Sequence, residues 1–140
     1  MRFQAIHTNI TVADLEKSVA FYKKALGFKV ARRVNGADGT FRLAFLEIEE
    51  TGHRLELTWY KDRDPYRPGD NEERLGFIPH VGFAPDNFDA ALAYHKGMGI
   101  VCLESPKRGV YFIKDPDGYW MEVVPRHRAF GTPVPEADTK

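Results

Sequence analysis

The chain has 140 residues, enough for one domain of ordinary size or for two small units sharing a core. A hydrophobic fraction of 43% and an aromatic fraction of 13% suffice to build that core and argue against disorder. Twenty basic and twenty acidic residues cancel, which removes the global field that would favour nucleic acid or an anionic membrane as partner. No apolar run is long enough to span a bilayer, and the strand-like pattern near the start leads to the expectation of no signal peptide. Cys102 is the single cysteine, so no intramolecular disulfide forms and a reducing cytoplasm is the expected location.

The first strand-like run alternates Ile6, Ile10 and Val12 on one face with His7, Asn9 and Thr11 on the other. Asp14 then stands as an N-cap before Leu15, Val19, Tyr22 and Leu26, an apolar stripe at helical spacing that Gly27 ends. Extended segments follow over residues 28–33, 41–48 and 53–60. Residues 61–75 are polar, contain Pro65, Pro68 and Gly69, and read as a linker. A second run opens at His80, and a second helix begins near Asp86 and Asn87, carries Phe88 and Leu92 with His95 as a further candidate, and ends between Gly97 and Gly99. Extended segments at 100–103, 110–114 and 119–124 complete it, with Asp115-Pro116-Asp117-Gly118 as a hairpin turn. From Pro125 onward there is no periodicity, and residues 126–140 are expected to form a loosely held tail.

The two segments repeat one plan. With His7 set over His80, Leu15, Val19 and Phe21 fall over Phe88, Leu92 and Tyr94, and Gly27-Phe28 answers Gly99-Ile100 after a one-residue slip. Each half therefore reads as β-α-β-β-β. The expected fold is α+β, a single domain over 1–125 with one module at about 4–60 and the other at about 76–125.

Glu56 lies between Leu55 and Leu57, and Glu122 between Met121 and Val123 with Trp120 and Val124 on its own side. An ionised carboxylate in such surroundings is costly to bury unless it is paired or bound to a metal. His7 and His80 open the two halves at matching places. A two-fold arrangement of the halves would make His7, Glu56, His80 and Glu122 ligands of one divalent ion, with open positions for water or substrate. A closed tetrahedral structural site would more often use cysteine. Against this stands a plainer expectation, in which the histidines are structural and the glutamates face solvent. His53, His95 and His127 have no counterpart in the other half and are expected at the surface, and Cys102 is expected to serve packing.

The paired modules resemble the vicinal oxygen chelate superfamily, and within it the short bacterial glyoxalase I (lactoylglutathione lyase), from about His7 to Val124. The resemblance is carried by His7-Thr8, by Asp14 to Ser18 running into Phe21-Tyr22, by Leu26-Gly27-Phe28, by Leu55 to Thr58, and by Asp115 to Tyr119 with Glu122. The order His, Glu, His, Glu is its discriminating part. Related dioxygenases and fosfomycin-modifying enzymes lack the ligand at the position of Glu56, and related acyl-CoA epimerases tend to have glutamine there.

The resemblance implies a metal-centred curved sheet and one divalent ion per site, with nickel or cobalt favoured and zinc the alternative. It implies isomerisation of the hemithioacetal of methylglyoxal and a thiol, glutathione first, to an S-lactoyl thioester through an enediolate. Glu122 is implied as the base, with Glu56 assisting proton return, and the metal as Lewis acid. Family members commonly hold glutathione with an arginine and an asparagine where this chain has Thr11 and Tyr60. Those two residues, with Lys107 and Arg108, form the candidate substrate-binding set. A homodimer is implied as well, its sites formed across the interface or within each chain. The alternatives are another enzyme of the superfamily, such as an epimerase, and a non-catalytic small-ligand-binding protein of the same fold.

Overall fold

A computed structural model describes residues 1–48, 52–69 and 78–131. Residues 70–77, which hold the end of the expected linker and the start of the second module, lie outside the described residues, as does the tail from 132. The first module runs β1 (His7–Thr11), α1 (Leu15–Leu26), β2 (Lys29–Asn35), β3 (Phe41–Glu47) and β4 (Arg54–Tyr60). The second runs β5 (Val81–Phe83), α2 (Phe88–Gly97), β6 (Val101–Ser105), β7 (Val110–Lys114) and β8 (Trp120–Val123). A short helix, α3 (Arg126–Ala129), follows where the sequence suggested only a tail.

Both long helices start by the same device. Asp14 Oδ1 accepts from the Lys17 amide at 3.0 Å, and Asn87 Oδ1 accepts from the Ala90 amide at 3.0 Å. Gly27 closes α1 at φ 71°, a left-handed conformation that glycine adopts at little cost, and its amide donates to the Lys23 carbonyl. The face of α1 carrying Leu15, Ser18, Val19, Tyr22 and Ala25 is buried, as the stripe requires, and packs on β3 and β4.

The first sheet has strand order β1-β4-β3-β2 and the second β5-β8-β7-β6, so the same topology occurs twice. In each sheet the opening strand pairs in parallel with the closing strand, and the remaining pairs are antiparallel. Ile10, Val12, Leu55 and Leu57 are buried on one face of the first sheet. Period-two alternation leaves His7, Asn9, Thr11, Glu56, Thr58 and Tyr60 on the other. Ile6 departs from its expected place: it precedes β1 and is 60% exposed.

Chain contacts define two compact units, one built on Met1–Pro68 with Pro116–Gly118, the other on Gly69–Asp115 with Tyr119 onward. The assignment of the 116–118 turn has a chemical basis. Asp117 accepts from the Ala13 amide at 2.9 Å and from the Ser18 hydroxyl at 3.3 Å. Asp115, in the second unit, caps the same hairpin by accepting from the Tyr119 amide at 2.8 Å. Among the described residues, no helix is long and apolar enough to cross a membrane.

Candidate metal centre

The ligand-type residues gather as two equivalent pairs, one in each unit. His7 Nε2 lies 3.2 Å from Glu56 Oε2, and His80 Nε2 lies 3.0 Å from Glu122 Oε2. The register that produces them is the same. Glu56 sits opposite Asn9, two residues beyond His7, and Glu122 sits opposite Gly82, two residues beyond His80. In neighbouring parallel strands residues so related share a face, so each imidazole meets a carboxylate through strand geometry alone.

The third strand of each sheet adds a matching aromatic ring. Phe45 is the antiparallel partner of Glu56, and Phe112 that of Glu122. Phe45 meets His7 edge-on with ring centroids 6.1 Å apart, and Phe112 meets His80 likewise at 5.2 Å. Each imidazole is thereby braced on its apolar side while its Nε2 faces the carboxylate. The glutamates are well covered, their side chains 14% and 26% exposed.

The donor chemistry of the second pair suits a cation. His80 Nδ1 is 3.0 Å from the Ile78 carbonyl, which can only accept, so Nδ1 carries the hydrogen. In the neutral ring Nε2 is then a lone-pair site facing a carboxylate oxygen, and two acceptors at that distance require a proton or a metal ion between them. A backbone carbonyl is a usual partner for the second ring nitrogen of a metal-ligating histidine. Among the described residues, no group of three or more His, Cys, Asp or Glu side chains is placed to hold a metal, so each unit offers two ligands.

Thr11 and Tyr60 lie on the face of the first sheet that carries His7 and Glu56. Thr11 pairs with Thr58, and its hydroxyl accepts from the Tyr66 amide at 2.8 Å. Tyr60 ends β4 and is exposed. Lys107 and Arg108 are exposed in the turn between β6 and β7. On Glu122's face of the second sheet, Val110, Phe112 and Trp120 form an apolar cluster against which Cys102, Leu103 and Val124 pack. Cys102 thus packs as expected.

Two expectations about histidine need correction. His95 is not at the surface: it is 3% exposed, and its Nδ1 is 2.8 Å from the Tyr111 hydroxyl. Its place on the buried side of α2, in line with Phe88 and Leu92, was the available signal. Burial also pushes the Tyr111 phenol above the ordinary tyrosine range. His53 is half-buried, its Nε2 2.9 Å from the Thr8 hydroxyl, whereas His127 is exposed. The bracing rings of Phe45 and Phe112 were missed. Their signal was an aromatic residue at the matching place in the third strand of each module.

Comparison with known proteins settles the family. Residues 4–123 match the model of the Glyoxalase/Bleomycin resistance protein/Dioxygenase superfamily. The chain belongs to this superfamily. Within it, the chain is 34% identical over 142 residues to a lactoylglutathione lyase of Pseudomonas aeruginosa, covering 84% of this chain and 80% of the relative. It is 32% identical over 139 residues to the lactoylglutathione lyase of Schizosaccharomyces pombe, covering 84% of this chain but only 46% of that longer protein. Among solved structures, the trypanothione-dependent glyoxalase I of Leishmania major superposes with a TM-score of 0.75 at 26% identity, covering 91% of this chain and 90% of the other. The α+β architecture of two β-α-β-β-β modules is therefore the glyoxalase fold, and the chain is lactoylglutathione lyase-like in sequence as well as in structure.

Proposed function

We propose that this chain is a metal-dependent glyoxalase I-like lyase that isomerises the hemithioacetal of methylglyoxal and a thiol, glutathione first, to the S-lactoyl thioester. The observation that carries the reading is the duplicated His–Glu pair, held in one register in both units of a chain from this superfamily. His7, Glu56, His80 and Glu122 would hold one divalent ion, nickel or cobalt before zinc. When bound, the ion supplies Lewis acidity that acidifies the carbon-bound proton of the substrate. Two ligands per unit suit a homodimer in which His7 and Glu56 of one subunit meet His80 and Glu122 of the other. The same reading places the protein in the cytoplasm, removing methylglyoxal.

Glu122 takes the proton from the carbon bearing sulfur, and the proton is delivered to the neighbouring carbon, with Glu56 assisting its return. The net change moves one hydrogen from the sulfur-bearing carbon to its neighbour and the hydroxyl proton from the first oxygen to the second, so no outside oxidant or reductant is required. Val110, Phe112 and Trp120 form a buried apolar cluster on the Glu122 face, which limits the water around its carboxylate. Thr11 and Tyr60 lie on the His7–Glu56 face and would contact the thiol portion.

The test is turnover of methylglyoxal with glutathione, followed by thioester absorbance, with Ni²⁺, Co²⁺ and Zn²⁺ supplied separately. Thioester formation with at least one ion is the expected result. Stoichiometric metal binding without turnover under any ion would overturn the assignment, and an epimerase-type substrate would then be sought. Failure to bind metal at all would favour the small-ligand-binding alternative.

A further inference from the structure

The His7–Glu56 pair has charged neighbours that the proposed chemistry does not use. Arg54 is the parallel strand partner of His7 and stands two residues before Glu56, so alternation puts it on their face of the first sheet. Its antiparallel partner is Glu47, whose Oε2 accepts from Arg54 Nε at 3.3 Å. Both side chains remain open to solvent, 41% and 35% exposed. Among the described residues, the terminal nitrogens of Arg54 have no partner besides Glu47.

The fold does not require this pair. The repeat puts Lys114 and Trp120 at the equivalent places of the second sheet, where Trp120 is buried and Lys114 Nζ lies 5.6 Å from its ring centroid. One unit therefore fills the place two residues before its glutamate with an aromatic ring, and the other keeps it polar. A half-exposed ion pair adds little to stability, so folding gives no strong reason for Arg54 and Glu47 to stand there.

Position along β4 decides which end of a ligand would meet them. Thr11 and Tyr60, the candidates for the thiol, lie four residues beyond His7 and Glu56, whereas Arg54 lies two residues before Glu56. The thiol candidates and the guanidinium are thus on opposite sides of the glutamate. The part of the substrate that extends from the reacting carbons away from the thiol is the substituent of the oxoaldehyde. Successive same-face residues of a strand are about 7 Å apart, a gap that one further carbon, its hydroxyl and a hydrogen bond can bridge. A hydroxyl both accepts and donates, so it can accept from an Arg54 N–H while donating to Glu47. A methyl group at that place leaves both unmet, and a carboxylate brings like charge to Glu47.

We propose that Arg54, held by Glu47, is a specificity-determining residue that favours a 2-oxoaldehyde carrying a hydroxyl on its third carbon over methylglyoxal. This inference rests on the lyase reading for the reaction and adds to it the class of aldehyde.

The test compares methylglyoxal with 3-hydroxy-2-oxopropanal, each as its glutathione hemithioacetal, by kcat/KM. The metal-loaded proteins are the wild type, Arg54→Leu, Arg54→Lys and Glu47→Gln. Calorimetric binding of the two product thioesters, S-lactoylglutathione and S-glyceroylglutathione, gives a second readout that needs no turnover. The wild type is expected to prefer the hydroxylated member of each pair about three- to ten-fold, the contribution of one ordinary hydrogen bond. Arg54→Leu should bring both ratios close to one, with Arg54→Lys and Glu47→Gln intermediate. A wild type without the preference would overturn the proposal. So would a ratio that Arg54→Leu leaves unchanged while both aldehydes lose activity alike, the mark of a structural role. Should Arg54→Leu not fold, unchanged ratios in the other two variants overturn it equally. Thioester binding without turnover of either hemithioacetal overturns the lyase reading while leaving the arginine comparison valid. A wild type that neither binds the thioesters nor turns over the hemithioacetals overturns both.

Discussion

Glu56 and Glu122 each meet a histidine side chain on one side and face a phenylalanine across the antiparallel pairing on the other, and their chemistry should be separable from their contribution to folding. Glu122→Gln is expected to lower kcat about 10²–10⁴-fold, the range for loss of a general base, with Glu56→Gln as strong or somewhat weaker. Both are nearly isosteric, so the thermal midpoint should move by only a few degrees. Equal loss of activity and stability would make the carboxylates structural. The histidine–glutamate pattern was legible in the sequence because alternation in strands leaves little freedom in where a side chain points. The bracing phenylalanines were not, because an aromatic residue in a strand is ordinarily read as core.

Tyr111 belongs to the same scale. Its phenol is buried against His95, and burial raises its pKa. An unfolded chain gives up that proton near pH 10, the usual tyrosine value, whereas the folded chain keeps it. Above that pH the unfolded state binds fewer protons, so this group makes stability fall as pH rises through the alkaline range. Urea titrations at stepped alkaline pH should show this fall, and Tyr111→Phe should flatten it. An unchanged slope in the variant would assign the effect elsewhere.

At the level of elements, α1 shows how local signals and tertiary packing agree. Asp14, the Leu15–Val19–Tyr22 stripe and Gly27 were readable as cap, buried face and stop, and the helix spans the residues they bracket. Gly27→Ala tests the last of these. An added Cβ would meet nothing within 4 Å, so any cost comes from the left-handed backbone and not from crowding. Roughly 1–2 kcal/mol of lost stability is expected by denaturant titration. No loss would mean that the helix end relaxes freely. Strand registers were less legible than strand positions, since a sequence does not show which residues face each other. The β1–β4 and β5–β8 pairings are what turn matching motifs into matching His–Glu contacts. Helix α3 escaped notice because four residues are too few for periodicity to register.

For the whole molecule, the internal repeat was the most informative signal, because it predicted two modules with one topology from pattern and very little identity. The grouping of Pro116–Gly118 with the first unit was not legible, as it depends on Asp117 bonding to residues about a hundred positions earlier. If each ion draws one pair from each of two subunits, His7→Ala and His80→Ala chains should be inactive separately and recover on mixing. One of the two sites in each mixed dimer is then intact, giving about a quarter of wild-type activity after random exchange. No recovery after verified exchange would assign the four ligands to a single chain.

The central claim is that the two His–Glu pairs are metal ligands. Elemental analysis of protein purified without chelators, set beside the Glu122→Gln and His7→Ala variants, tests it most directly. One nickel, cobalt or zinc ion per wild-type chain, and its loss or marked reduction in both variants with the fold retained, is the expected result. A metal-free wild type that takes up no ion on addition, or variants that keep a full complement, would contradict it.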